Sequence, residues 1–290
     1  MYSTYLTFST QSRFNSATRV IGKIKRMQSI NFWNGNKSEA RQNYELALIQ
    51  ACLRATESVY QPVTLEVDKT DYPKAIDESL IFDKGADVLV TVAGNIKFDG
   101  IQKFVVPQPL TKGLLGYRLL VVRDASLTTF AQLKDPAQLQ KAKIGIPNTW
   151  ADADLFRHNG YQVVEQGTLD ELFLSLKKGA FDYVALGINE MEDIFDHLAA
   201  PLGGLSIQPS LMLYYPFPLV FYVNPKNCEL AKRLEKGLHM LLNSGEFEVI
   251  FKRFHGNLVS RLNLSSRTIF TLVNPLLPKD MADFSATLLS

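Results

Sequence analysis

From Ser29 onward, stretches of two-residue hydrophobic alternation, the mark of a strand, interchange with stretches of 3.6-residue period, the mark of a helix. Ser29-Ile30-Asn31-Phe32-Trp33 alternates and runs into the turn signal Asn34-Gly35-Asn36. Ser38 then caps a predicted helix to about Glu57, with Tyr44, Leu48, Ala51, Cys52 and Ala55 on one face. Val63 to Val67 predicts a second strand. Tyr72 to Phe82 predicts a second helix, with Pro73 tolerated in its first turn, and the β-branched run Ala86 to Val92 predicts a buried parallel strand. This order implies right-handed crossovers and one α/β layer.

The pattern then breaks and restarts. Pro107, Pro109, Gly113 and Gly116 lead into Tyr117 to Val122, which reads as a connection leaving the first unit. Lys143 to Pro147 is a predicted strand, Asp152 to Arg157 a helix ending at Gly160, and Tyr161 to Glu165 another strand. Thr168 caps a helix carrying Leu172, Phe173 and Leu176, with Lys177 and Lys178 in its last turn where cations favour the dipole. Phe181 to Leu186 is the next buried strand. A second aromatic-proline stretch, Tyr214-Tyr215-Pro216-Phe217-Pro218, opens a strand over Leu219 to Val223, and helices follow over Glu229 to Leu242 and Gly245 to Phe254. Two α/β units joined by a chain that crosses between them twice are therefore expected.

Composition agrees: 290 residues, 46% hydrophobic and 21% charged, suffice for about two domains with their own cores. The longest apolar candidate, Leu211 to Val223, falls short of the ~18 residues a membrane helix needs and is broken by Pro216 and Pro218, so a soluble protein is expected. The net charge of +2 hides an asymmetry. Residues 1–27 hold Arg13, Arg19, Lys23, Lys25 and Arg26 and no acid, leaving −3 on the rest, which gives no basic footprint for nucleic acid. That stretch reads as a leader or disordered tail. It lacks the apolar run of a recognisable secretory signal and shares its Arg-rich, Ser-rich, acid-free character with organellar transit peptides. Cys52 and Cys228 make neither a disulfide framework nor a zinc site, and Cys52 reads as a small hydrophobe in a helical stripe.

Five segments, in order, resemble the type 2 periplasmic solute-binding fold, in particular the amino-acid-type substrate-binding proteins of ABC uptake systems. They are Arg41-Gln42-Asn43-Tyr44, Gly85 to Val90, Pro109 to Arg118, Ile144 to Asp152, and Glu229-Leu230 with Asn243-Ser244-Gly245-Glu246-Phe247. The resemblance spans residues 28–256. It implies an α/β, two-lobed architecture with lobe one over 28–108 plus 219–290, lobe two over 115–213, and hinge crossovers at 109–114 and 214–218. It also implies a periplasmic location, capture of a small polar, anionic or amino-acid-like solute between closing lobes, and delivery to an ABC permease or a membrane sensor. A monomer is expected, with no cofactor, no metal, no nucleic acid and no membrane insertion.

The resemblance places a hydroxyl and then an arginine in the loop after the third strand, to grip an α-carboxylate. Here Thr91 matches the hydroxyl, Gly94 and Asn95 offer donors, and Lys97 is the cation, with Asp99 near where the arginine belongs; lysine is a point charge and not a fork. The acid that receives an α-ammonium is replaced by Gly187, with Asn189 and Glu190 following as substitutes. Asn148, Thr149, Trp150 and Asp152 form the turn into a second-lobe helix, where Thr149 and Asp152 nearly make a capping box and Trp150 is a candidate lid. Trp33 and Asn34 end the first strand on the opposite wall. Arg41 and Tyr44 open the first helix, Arg41 being the candidate arginine for an anion, while Arg118 reads as a structural pin at the hinge. His158, His197, His239 and His255 show no metal-ligand spacing, and no nucleophile-elbow or phosphate-loop motif is present, so a non-catalytic protein is expected. The alternatives are a ligand-sensing protein without a transporter and a dehydratase-like enzyme pairing Glu190 with Asp152.

Overall fold

The structure, a computed structural model, describes residues 28–72, 74–148 and 150–286. The expected leader over 1–27 lies outside the described residues, as do Pro73 and the candidate Thr149. In chain order the first unit contains β1 (Gln28–Trp33), α1 (Glu39–Ala55), β2 (Val63–Asp68), α2 (Ala75–Ser79), β3 (Val88–Val92) and β4 (Phe104–Val106). The second contains β5 (Tyr117–Arg123), α3 (Leu127–Ala131), α4 (Pro136–Leu139), β6 (Lys143–Ile146), α5 (Asp152–His158) and β7 (Gln162–Glu165). It continues with α6 (Leu169–Lys177), β8 (Tyr183–Gly187), α7 (Met191–Ile194) and β9 (Leu205–Tyr214). Thereafter come β10 (Leu219–Val223), α8 (Cys228–Ser244), α9 (Glu246–His255), α10 (Leu258–Arg261) and β11 (Thr268–Thr271).

Two sheets result, in the orders β2-β1-β3-β10-β4 and β11-β9-β5-β8-β6-β7. Each repeats one plan. Three parallel strands, β2-β1-β3 or β7-β6-β8, are flanked by an antiparallel strand laid down just after a crossover, β10 or β5. Helix α1 begins where the Ser38 hydroxyl accepts the Arg41 N–H, and α6 carries the capping box of Thr168 and Glu171. Helix α8 turns Leu230, Leu234, Leu238 and Leu241 inward and packs on α1, each buried leucine worth about 1.5–3 kcal/mol. Cys52 sits in that contact, its thiol pushed up by burial, and Cys228 is exposed.

Two differences from the expectations, and one strand to which no expectation applied, have physical causes. The predicted helix over Tyr72 to Phe82 is only α2: the Tyr72 carbonyl, which a helix starting there would use, accepts from the Asn36 side chain at 2.9 Å, and the chain after Leu80 turns over toward Gly85. Strand β9 carries Pro209, which argues against a strand on sequence grounds. It is accommodated by a register shift against β5 and by the Gln208 side chain accepting the Ser210 and Leu211 N–H groups at 2.9 and 2.6 Å. Finally, the expectation that 219–290 belongs wholly with the first unit needs correction, since β11 pairs in parallel with β9 of the second sheet. The chain thus passes between the sheets more than twice.

Candidate functional site

The ends of β1, β3 and β6, the residues just after β8 and the starts of α1 and α6 face one crevice of about 900 Å³ between the sheets. This is where open α/β sheets bind ligands, outside the carboxyl ends of their parallel strands. Of the expected residues, Trp33, Arg41, Thr91, Asn95, Lys97, Asn148, Trp150, Asp152 and Glu190 line it. The other described residues lie elsewhere. Asn34 is fully buried and donates to the Gln42 carbonyl at 2.9 Å, and Tyr44 turns its hydroxyl to the Leu110 carbonyl. Asn189 lines a separate hollow of about 250 Å³ beside Asn43, His255 and Arg261.

The first-unit wall is held by internal ion pairs. Lys37 donates to Glu45 at 2.7 Å and to the Val90 carbonyl at 3.1 Å, while Arg41 donates to the other Glu45 oxygen through Nε and Nη2 at 3.1 and 2.9 Å. Burial pulls the Lys37 ammonium below its usual range despite Glu45; for Arg41 burial opposes the charge, but Glu45 and Glu190 hold it above the ordinary value. Lys97 meets Glu78 at 2.7 Å, and Asn36 donates to the same oxygen at 3.1 Å. Asn95 donates to the Thr91 hydroxyl at 2.8 Å and caps the Lys97 N–H at 3.1 Å. Trp33 is chiefly a core residue, its indole N–H bonded to the Thr70 carbonyl at 2.9 Å.

Facing them, Arg118 of β5 is 2% exposed and pairs with Asp152 at 2.7 Å, and the Tyr215 hydroxyl donates to the same Asp152 oxygen at 2.5 Å. The guanidinium lies 5.3 Å from the centres of the Tyr215 and Phe217 rings. Its charge is opposed by burial but more than restored by Asp152, Tyr215 and Glu190. Asp152 is therefore an ion-pair partner. Ala151, the residue before α5, makes no side-chain cap, and the near-capping box expected of Asp152 involves Thr149, which lies outside the described residues. Gly187, at the place where the resemblance puts an acid, pairs with Arg118 across β5 and β8. A Cβ there would lie 2.7 Å from Asn189 Oδ1 and 2.8 Å from Leu115 Cδ1, so a side chain beside the arginine would require those two side chains to shift.

Glu190 is the exception to this pairing. It is 7% exposed, its side chain makes no hydrogen bond among the described residues, and burial raises its pKa by more than Arg41 and Arg118 lower it. Sequence reasoning missed Lys37, Glu45, Glu78 and Phe217. The spacing of Arg41 and Glu45 was a readable signal, since residues four apart share a helix face, whereas Lys37 precedes α1 and reaches Glu45 from outside the helix. The Glu78–Lys97 pair had none, because its partners meet only through the fold.

No protein-family model and no curated protein matches this chain. Solved structures do. An amino acid ABC transporter substrate-binding protein from Streptococcus pneumoniae, bound to L-arginine, is 13% identical with a TM-score of 0.55, covering 79% of this chain and 94% of that one. The BvgS VFT2 domain of Bordetella pertussis is 17% identical with a TM-score of 0.58, covering 78% and 93%. A histidine kinase sensor domain described as similar to periplasmic binding proteins is 17% identical with a TM-score of 0.56, covering 80% and 97%. Likeness of this extent at such low identity is a statement about architecture, and that architecture is the two-lobed fold of the type 2 periplasmic binding proteins.

Proposed function

We propose that the protein is a non-catalytic solute-binding protein that holds one small amino-acid-like molecule between two lobes, with hinges at the crossovers near 109–114 and 214–218. The carrying observation is the charge of the crevice. Lys37, Arg41, Lys97 and Arg118 each already face a carboxylate, whereas Glu190 lacks a hydrogen-bond partner among the described residues and Asp71, Asp170 and Asp193 add further acid to the lining. A purely anionic solute would have to displace an internal ion pair; an ammonium group would complete Glu190. The arginine-bound neighbour from S. pneumoniae supports this choice. A periplasmic location and an ABC permease as receptor follow from the same reading. The histidine kinase sensor-domain neighbour favours a second one, in which the closed lobes report to a membrane sensor.

A thermal-shift panel of amino acids, short peptides, polyamines and amine-free organic acids tests the proposal, because a ligand that binds only the native state must stabilise it. An ammonium-bearing compound is expected to raise Tm, and amine-free acids are not; a flat panel removes the reading. With the ligand in hand, Glu190→Gln is expected to weaken binding about 10- to 100-fold, the worth of a charge-assisted hydrogen bond. Because the Glu190 pKa is raised, wild-type affinity should also strengthen as pH increases and the carboxyl ionises, and titration calorimetry at several pH values should find that dependence gone in the variant.

A further inference from the structure

The chain beyond α9 touches both units in turn. The Arg261 guanidinium at the end of α10 meets Glu192 of α7, its Nε lying 2.7 and 2.8 Å from the two carboxylate oxygens. Arg267 donates to the Leu211 carbonyl at 3.3 Å, and β11 then runs along β9. Past β11 the Leu272 N–H donates to Tyr214 at 2.8 Å, and Val273 exchanges two hydrogen bonds with Asn159 at 2.8 and 2.7 Å. Asn274 donates to the carbonyl of Pro216, in the second crossover, at 2.8 Å. From there the chain enters the first unit. The Leu276 carbonyl packs so closely on Gly94 (φ +78°) that a Cβ there would lie 1.7 Å away. Met281 is buried in a cluster with Trp33, Phe98 and Tyr222, and Leu277 packs against it. The chain then doubles back, with the Ala286 N–H donating to the Tyr214 hydroxyl at 3.2 Å.

We propose that residues 257–286 are a brace that ties the two lobes together beside the hinge and limits how far they open. Only four peptide steps separate the Leu272 anchor on the second sheet from Leu276 on the first, at most ~14 Å of fully extended chain. Part of that reach is taken up by the bend in which the Leu276 N–H bonds Asn274 Oδ1 at 2.9 Å. Wider opening must therefore peel the brace from one unit. Gly94 lies between Thr91 and Asn95 in the crevice wall, so tension on the brace also acts on that wall.

The brace rests on the hinge of the two-lobe reading but on no particular ligand, so its test needs none. Spin labels on the native Cys228, which is exposed on α8, and on Lys141→Cys, at an exposed position before β6, report the distance between the lobes. Asn274→Ala combined with Met281→Ala removes anchors without altering a residue that lines the crevice. The double variant is expected to lose hydrogen-exchange protection over 272–286 and to show a broader distance distribution, shifted to longer separations. An unchanged distribution alongside lost protection would overturn the brace, and retained protection would overturn the assignment of these anchors. Should the double variant fail to fold, Arg261→Gln, which opens only a half-exposed ion pair, should broaden the same distribution to a smaller degree, and no broadening there counts against the proposal equally. Failure of either test leaves the solute-binding reading standing, because that reading is judged by ligand-induced stabilisation.

Discussion

Replacing Asp152 by alanine is expected to lower the unfolding free energy by about 3–5 kcal/mol, the usual cost of removing one member of a buried ion pair. The guanidinium left behind is that of Arg118, which is 2% exposed, with Tyr215 and Phe217 packed around it. Removing Asp152 also strips the acceptor from the Tyr215 hydroxyl. The cost comes from the uncompensated charge more than from the lost contact. Accordingly, the double variant Arg118→Met with Asp152→Leu should recover most of the loss, since apolar pairs of similar volume commonly replace buried ion pairs at little expense. Urea unfolding of the two variants and the parent measures both quantities. If Asp152→Ala shifts the free energy by less than about 1 kcal/mol, as an exposed pair would, Arg118 does not depend on this carboxylate.

Acid should destabilise the protein through His255. The ring is 6% exposed and lies against Tyr44, Phe251 and Phe254, with centroid distances of 4.7, 5.2 and 6.4 Å. Its Nε2 is buried without a hydrogen-bond partner among the described residues. Burial lowers its pKa from 6.5 to about 4. A histidine depressed in the folded state gives stability that is full above the unfolded value and is lost as pH falls, because the unfolded chain takes the proton first. A depression of that size amounts to about 3 kcal/mol between pH 6.5 and 4. Glu192, Asp193 and Arg261 line the adjoining hollow, and Glu192 is engaged by Arg261. His255→Phe keeps an aromatic ring in the cage and removes the proton site. Its stability relative to the parent should improve by about 3 kcal/mol on going from pH 7 to pH 4. A constant difference across that range would mean that His255 titrates normally.

Much of the fold was readable because its parallel strands and long helices carry strong periodicity. Val88 to Val92 and Leu219 to Val223 are nearly all apolar, and the stripe of α8 is regular. What escaped was written in tertiary contacts. Strand β9 contains Pro209 and a side-chain-supported irregularity, and β11 is a strand only because β9 offers it an open edge. The candidate site divides in the same way. Residues at strand ends and helix starts, such as Arg41, Thr91 and Trp150, could be placed by local pattern. Asn34 and Tyr44 sit in equally promising positions, yet their side chains are consumed by the Gln42 and Leu110 carbonyls. Arg118 could be read only as a pin; its pairing with Asp152 joins β5 to the start of α5, which meet only through the fold.

The position of β10 also bears on how the chain assembles. This strand is the fourth of five in its sheet, wedged between β3 and β4, yet more than a hundred residues separate it from either in sequence. On a ribosome, β5 through β9 form a contiguous stretch that can assemble five of the six strands of its sheet while the first sheet still lacks an inner strand. The first unit then completes by closing a long loop whose middle is already folded, a shorter effective closure than the bare residue count implies. Until β10 arrives, β3 and β4 expose unpaired apolar edges, and the nascent protein is at its most aggregation-prone in that interval.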